Sequence, residues 1–238
     1  MCSSDLAIMR RELSAYFASP IGYIFLAVFY IFGGFYFTMT CLLSNSSDLS
    51  FTFNSMFTIV LILVPLLTMR LFSEDKKHKT DQALLTAPVS LLGLVLGKFF
   101  AAVLVYLLSL AVTIVYAAVI AMYAPPGWPH VMGNFIALLL MGMAFISIGL
   151  FVSSLTENQL IAAVGSFAIA LTLIIIDSVA PAITVPWLRG IFMGIAFFGR
   201  YSAFTVGKLE LSGIVFFLSI CAVFLFLTVR VLDKRRWS

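Results

Sequence analysis

Six stretches of this chain carry no Asp, Glu, Lys or Arg over roughly 17–25 residues each, long enough for a helix to cross about 30 Å of hydrocarbon. They are Ile21–Thr40, Leu49–Met69, Phe99–Tyr123, Val131–Ser153, Leu160–Ile176 and Leu211–Val229. Composition closes off the alternative of a water-soluble fold. The 238 residues are 63% hydrophobic and 10% charged, with a mean hydropathy of +1.15, against about 45–50% and 25% for soluble domains. A fold of this length could not hide so much apolar surface from water, so lipid is the solvent for most of it. The 24 Phe residues are spread along the chain, as lipid-facing and helix-packing positions require. The chain reads as an all-α integral membrane protein with six transmembrane helices.

The breaks between the runs carry turn chemistry. Residues 43–48 form a polar loop, the Pro125–Pro129 stretch cannot continue a helix, and residues 153–159 make a tight polar turn. The apolar run after Ser19-Pro20 is long enough to span rather than act as a cleaved signal. Six spans put both termini on one side, with 11 of the 14 Lys and Arg: Arg10, Arg11, Arg70, Lys76, Lys77, Lys79, Lys98, Arg230, Lys234, Arg235 and Arg236. Arg189, Arg200 and Lys208 fall on the other. The positive-inside rule then predicts cytoplasmic termini and a cytoplasmic 70–98 loop. It also accounts for the net charge of +4, which is no sign of nucleic acid. Trp128, Trp187 and Trp237 lie just outside the runs, as an interfacial aromatic belt has them.

Two further segments are predicted to be helical without spanning. Leu6, Met9, Leu13, Tyr16 and Phe17 recur at helical spacing, and Arg11, Glu12 and Ser14 read as the opposite face; a helix lying in the interface fits. Between the fifth and sixth runs, Pro181 and Pro186 break the chain and Ile191–Phe198 is too short to cross. An outer re-entrant or interfacial pair of helices is expected there.

Catalytic chemistry is not evident. Gly93-Leu-Val-Leu-Gly97-Lys98 lacks one residue between its glycines and the hydroxyl residue after Lys that a phosphate-binding loop needs. It reads instead as a helix-packing stretch with Lys98 at the cytoplasmic mouth, so the chain is not expected to hydrolyse ATP alone. His78 and His130 fall on opposite sides of the membrane, and Cys2, Cys41 and Cys221 show no disulfide or metal spacing. No catalytic residue, metal site or cofactor is proposed for this chain. The six runs contain no charge that would mark an ion path. Asp177, at the outer end of the fifth, either marks where water begins or forms a candidate outer polar site with Arg200.

The loop after the second run holds a dense cluster, Glu74, Asp75, Lys76 and Lys77, then Thr80-Asp-Gln as a helix start, Ala83-Leu84-Leu85 as an apolar face and Pro88 as a stop. A short helix with a bare Leu pair suits a protein groove. A solvated, topology-setting loop suits the same residues, and the residues alone leave both open.

Arg70-Leu-Phe-Ser-Glu-Asp-Lys76, Thr80, Leu84-Leu-Thr-Ala-Pro-Val-Ser90 and Leu96-Gly-Lys-Phe99 resemble the first cytoplasmic loop of ABC-2 type transporter permeases. The turn Ser154–Gln159 resembles the family too. Residues 11–22 and 224–237 are similar to its gliding-motility-type branch, so the likeness covers nearly the whole chain. Lys79 and Gln82 depart from the Gly and Glu common in that loop.

The resemblance implies a single domain over 1–238: an elbow helix (1–20), spans 1–2 (21–69), a cytoplasmic coupling loop (70–98), spans 3–5 (99–176), an outer re-entrant segment (177–210), then span 6 and a basic tail (211–238). It implies a permease of the bacterial cytoplasmic membrane, an exporter, paired with a second permease copy and with ABC ATPase subunits that hold ATP and Mg. An extracytoplasmic auxiliary protein is a further implied partner. Leu6, Met9, Leu13, Tyr16 and Phe17 would form the elbow. Glu74, Asp75, Lys76, Lys77, Thr80, Leu84, Leu85 and Pro88 would contact the ATPase, with Thr156, Glu157, Asn158 and Gln159 as a second contact. The alternative is a non-transporting anchor of a motility- or envelope-associated complex.

Overall fold

The computed structural model describes residues 3–44, 46–77, 90–125, 127–205 and 210–236, with side chains of the first helix from Ile8 onward. Among the described residues every regular element is helical: α1 (Ser3–Ala18), α2 (Pro20–Phe37, running on as a π-turn over Thr38–Leu42), α3 (Ser50–Thr68), α4 (Ser73–Lys77), α5 (Leu91–Ala121), α6 (Trp128–Leu155), α7 (Gln159–Val179), α8 (Pro186–Ile195), α9 (Phe197–Thr205) and α10 (Leu211–Arg236). Six are long and apolar enough to cross a membrane: α2, α3, α5, α6, α7 and α10. They coincide with the six apolar runs.

Local chemistry sets their ends. Gly127 adopts a left-handed φ of 60°, which reverses the chain after Pro125 and starts α6 at Trp128. Asn158 caps α7, its Oδ1 accepting from Leu160 N at 2.9 Å. Ser90 caps α5, its Oγ accepting from Gly93 N at 3.2 Å. That cap moves the start of the third span from the expected Phe99 back to Leu91, so α5 has 31 residues and carries Lys98 inside it. The expected cytoplasmic loop is correspondingly shorter. The segment expected on the outer side forms a pair of short helices, α8 and α9, after a 3₁₀ turn over Ala180–Ala182. They differ in burial. No residue of α8 is buried, whereas α9 inserts Phe197, Tyr201 and Phe204 against α3, α6 and α7.

The bundle is built around α6, which packs against α3, α5, α7, α9 and α10. In lipid, helices gain nothing by hiding apolar surface from one another, so association depends on close packing and interhelical hydrogen bonds. Gly142 and Gly149 supply the closeness. A Cβ on Gly142 would lie 2.1 Å from the Tyr106 ring, and one on Gly149 would lie 2.1 Å from Thr68 Oγ1. Tyr106 meanwhile donates its hydroxyl to Leu138 O at 2.7 Å, which holds the ring over Gly142. Much of the surface of α7 and α10 is left uncovered.

Gly142→Ala and Gly149→Ala should each destabilise the purified protein by about 1–3 kcal/mol through overpacking. Gly190→Ala and Gly194→Ala, where an added Cβ meets nothing within 4 Å, should stay within about 0.5 kcal/mol of the parent or gain from helix propensity. Thermal unfolding in one detergent compares all four.

Candidate functional site

Lys98 is the residue whose position most needs explaining. It lies two turns into α5 and is only 1% exposed, so its ammonium must find partners inside the protein. It finds three. Nζ lies 2.7 Å from Asp75 Oδ2 and 3.0 Å from Glu12 Oε1, and it donates to Leu71 O at 2.5 Å. The Phe72 ring, 5.2 Å away, covers a further side. Arg11 reaches Glu12 at 3.0 Å and approaches Asp75 at 3.8 Å from the exposed rim. Two lysine or arginine charges thus meet two carboxylates, and the cluster is balanced.

The elements that supply these groups are distant in sequence. Glu12 comes from α1, Asp75 from α4, and Lys98 from α5. α1 packs along α5, and this turns Glu12 inward: it is buried rather than on the solvent face that its charge suggested. A second set of bonds fastens α1 to the end of α3. Tyr16 is buried and donates its hydroxyl to Leu67 O at 2.9 Å. The Arg70 guanidinium stacks 4.6 Å above the Tyr16 ring and donates to Ser19 Oγ at 2.6 Å. Burial pushes the Tyr16 phenol well above its ordinary range, with Arg70 opposing only in part, so the hydroxyl stays a neutral donor. A cavity of about 240 Å³ remains between Arg11, Glu12, Tyr16, Arg70, Glu74 and Asp75.

A third knot joins the same segment to α6. Ser153 Oγ accepts from Phe72 N at 3.0 Å and Ser73 N at 3.1 Å, and donates to Met69 O at 3.1 Å. Lys76, 4% exposed, donates to Ser154 O. Beside this junction Lys77, Glu157, Asn158 and Gln159 line an open groove of about 390 Å³.

The two stretches singled out in the sequence are therefore neighbours. Within the first, Asp75 and Lys76 are turned into the protein, whereas Glu74 and Lys77 border cavities. Thr80, Leu84, Leu85 and Pro88 lie outside the described residues. Thr156 Oγ1 accepts from Asn158 N at 3.1 Å, which shapes the turn before α7. In α1, Met9, Leu13 and Phe17 are half-buried beside the buried Tyr16; the Leu6 side chain lies outside the described set.

On the far face, Asp177 caps the start of α9. Its Oδ2 accepts from Phe197 N at 3.0 Å and Phe198 N at 2.8 Å. Arg200 turns away, stacking 4.3 Å over the Phe216 ring and bonding Gly194 O at 3.4 Å. The structure brings this pair into one region and gives each its own partners.

Lys98→Met alone should cost about 3–5 kcal/mol, because it leaves Glu12 and Asp75 with only the rim cation Arg11 between them. Adding Glu12→Gln and Asp75→Asn should return most of that loss. Unfolding curves for the single and triple variants give the comparison. Equal losses in both would show that the charges are not coupled.

No curated protein matches the chain. A family model described as ABC-2 family transporter protein matches residues 6–237. That match takes in α1, the Lys98 cluster, all six spans and the outer helices, and the chain belongs to the ABC-2 family of membrane-spanning transporter proteins.

Proposed function

We propose that the chain is the permease subunit of an ATP-driven exporter, worked by separate ABC ATPase subunits that dock on the face formed by Glu74–Lys77 and Thr156–Gln159. The observation that carries this reading is the convergence on that face. Ser153 and Lys76 tie α4 to the end of α6, and Lys98 ties α4 to α1 and α5. A push delivered there reaches the interfacial helix and three spans together, through short polar bonds rather than through a pliable loop. A coupling surface has this mechanical requirement, and a loop that merely sets topology does not.

The remaining parts of the reading follow from charge and family. The excess of Lys and Arg on this face favours the cytoplasmic side for it and for both termini, and the family likeness favours a bacterial inner membrane. ATP and Mg belong to the ATPase partner. A second permease copy completes the transport path, and the uncovered surfaces of α7 and α10 leave room for it as well as for lipid. Leu84 and Leu85 serve as the apolar anchors toward the ATPase, with Glu74 and Lys77 on the rim. Outward transport rests on the family likeness alone.

The test is purification of the tagged full chain from its native membrane in mild detergent, with partner identification and an ATPase assay. The parent should bring down an ATP-binding subunit with vanadate-sensitive activity. Leu84→Asp with Leu85→Asp should reduce that recovery at least ~10-fold, the scale on which loss of a buried anchor acts, while the chain still inserts. Undiminished recovery in the double variant would overturn the docking assignment. An ATPase whose rate ignores Gly149→Ala at the α3–α6 contact would instead favour a non-transporting anchor.

A further inference from the structure

Across the spans from Lys98, the loop before α3 faces the turn before α6. A cavity of about 500 Å³ opens between them, lined by Ser47, Asp48, Leu49, Gly127, His130 and Asn134 among others. That volume falls in the range of small-molecule sites.

Its lining is unusual in one respect. Asn134 is 1% exposed. Its Nδ2 donates to His130 O at 2.8 Å, but among the described residues nothing donates to its buried Oδ1. Buried acceptors without a donor are rare and weaken the fold that contains them. An apolar residue in the first turns of α6 would carry no such penalty. Asn134 itself lines the cavity, and the terminal torsion of Asn is broad.

Asp48 supplies charge to the same space. Ser50 N donates to its Oδ1 at 2.9 Å. Hydrogen bonds from Ser50 hold the carboxyl below its usual range, with His130 adding to the effect, so it is ionised at neutral pH. Both groups demand donors, and the carboxylate repels an anion. A bare metal ion is poorly served, since among the described residues no three His, Cys, Asp or Glu side chains converge. An alkylammonium meets both demands: it is cationic, it carries three donors, and its carbon skeleton can lie along Leu49 and Val131, which also line the cavity.

We infer that this cavity binds a primary ammonium group carried on a small organic molecule, with Asn134 Oδ1 as the buried acceptor and Asp48 as the counter-charge. The inference does not depend on ATPase docking.

Thermal unfolding of the full chain in detergent, with n-propylammonium, propionate or glycerol added at matched ionic strength, tests it. Propylammonium alone should raise Tm saturably, by roughly 3–6 °C at ten times the half-saturating concentration. Asp48→Asn, which keeps a capping side chain before α3, and Asn134→Leu should each weaken the response at least ~10-fold, as loss of one charged or buried contact does. Asn134→Leu without amine should melt at or above the parent, because it removes the orphaned acceptor. An equal rise with propionate or glycerol, a response that survives both substitutions, or a lower Tm for Asn134→Leu would overturn the assignment.

Discussion

The arrangement of this protein's basic face depends on one ammonium group that is almost wholly shielded from solvent. Burying Lys98 unpaired would cost several kcal/mol, enough to consume much of the stability of a domain. The cost is offset only if Glu12 and Asp75 arrive together, at 3.0 and 2.7 Å. Glu12 lies 86 residues earlier in the chain and Asp75 lies 23 earlier. Pairing therefore fixes the register of α1 along α5 and the placement of α4 at the end of α3 in a single step. An apolar core could join the same helices as firmly, but it would tolerate sliding by a fraction of a turn. A buried ion triad does not, because each ångström of displacement leaves a charge less compensated. Here the polar cluster sets geometry, and the surrounding packing supplies most of the cohesion.

Legibility in the sequence divides along the same line. The six spans could be read because the bilayer imposes one requirement, an uninterrupted apolar length, and the chain meets it six times. The short outer helices could be read from Pro181 and Pro186. The Lys98 cluster could not, because in a sequence a charge beside an apolar run marks the edge of a span. Ser90 starts α5 eight residues before Phe99, so a lysine at the supposed mouth is in fact buried. A signal was present in α1. At about 100° per residue, Glu12 falls about 40° from Tyr16, beside the apolar stripe rather than opposite it. A carboxylate on an apolar face calls for a buried cation, and Lys98 meets that need. Asp177 was equally opaque, since its partners are backbone N–H groups of α9 that no sequence pattern announces. Neither was the orphaned oxygen of Asn134 visible, because it depends on which neighbours fail to reach it.

The central helix gives these separate features a common frame. α6 runs from the Asn134 cavity at one end to Ser153 and Ser154 at the other, a distance of roughly 30 Å at 1.5 Å per residue. It contacts six other helices on the way, α4 among them, and two of its glycines are pressed against Tyr106 and Thr68 with no room for a methyl group. Contacts that close hold α6 in register against α3 and α5. Suppose the loops at the basic face shift through the Ser153 and Lys76 bonds. With its backbone bonds closed within the helix and no bulk water in hydrocarbon to replace them, α6 resists sharp bending. A shift of α6 as a unit then changes the distance between Asn134 and the loop that holds Asp48. The Asn134 cavity and the proposed docking surface thus lie at the two ends of the helix that joins them, and a movement of α6 as one body would be felt at both.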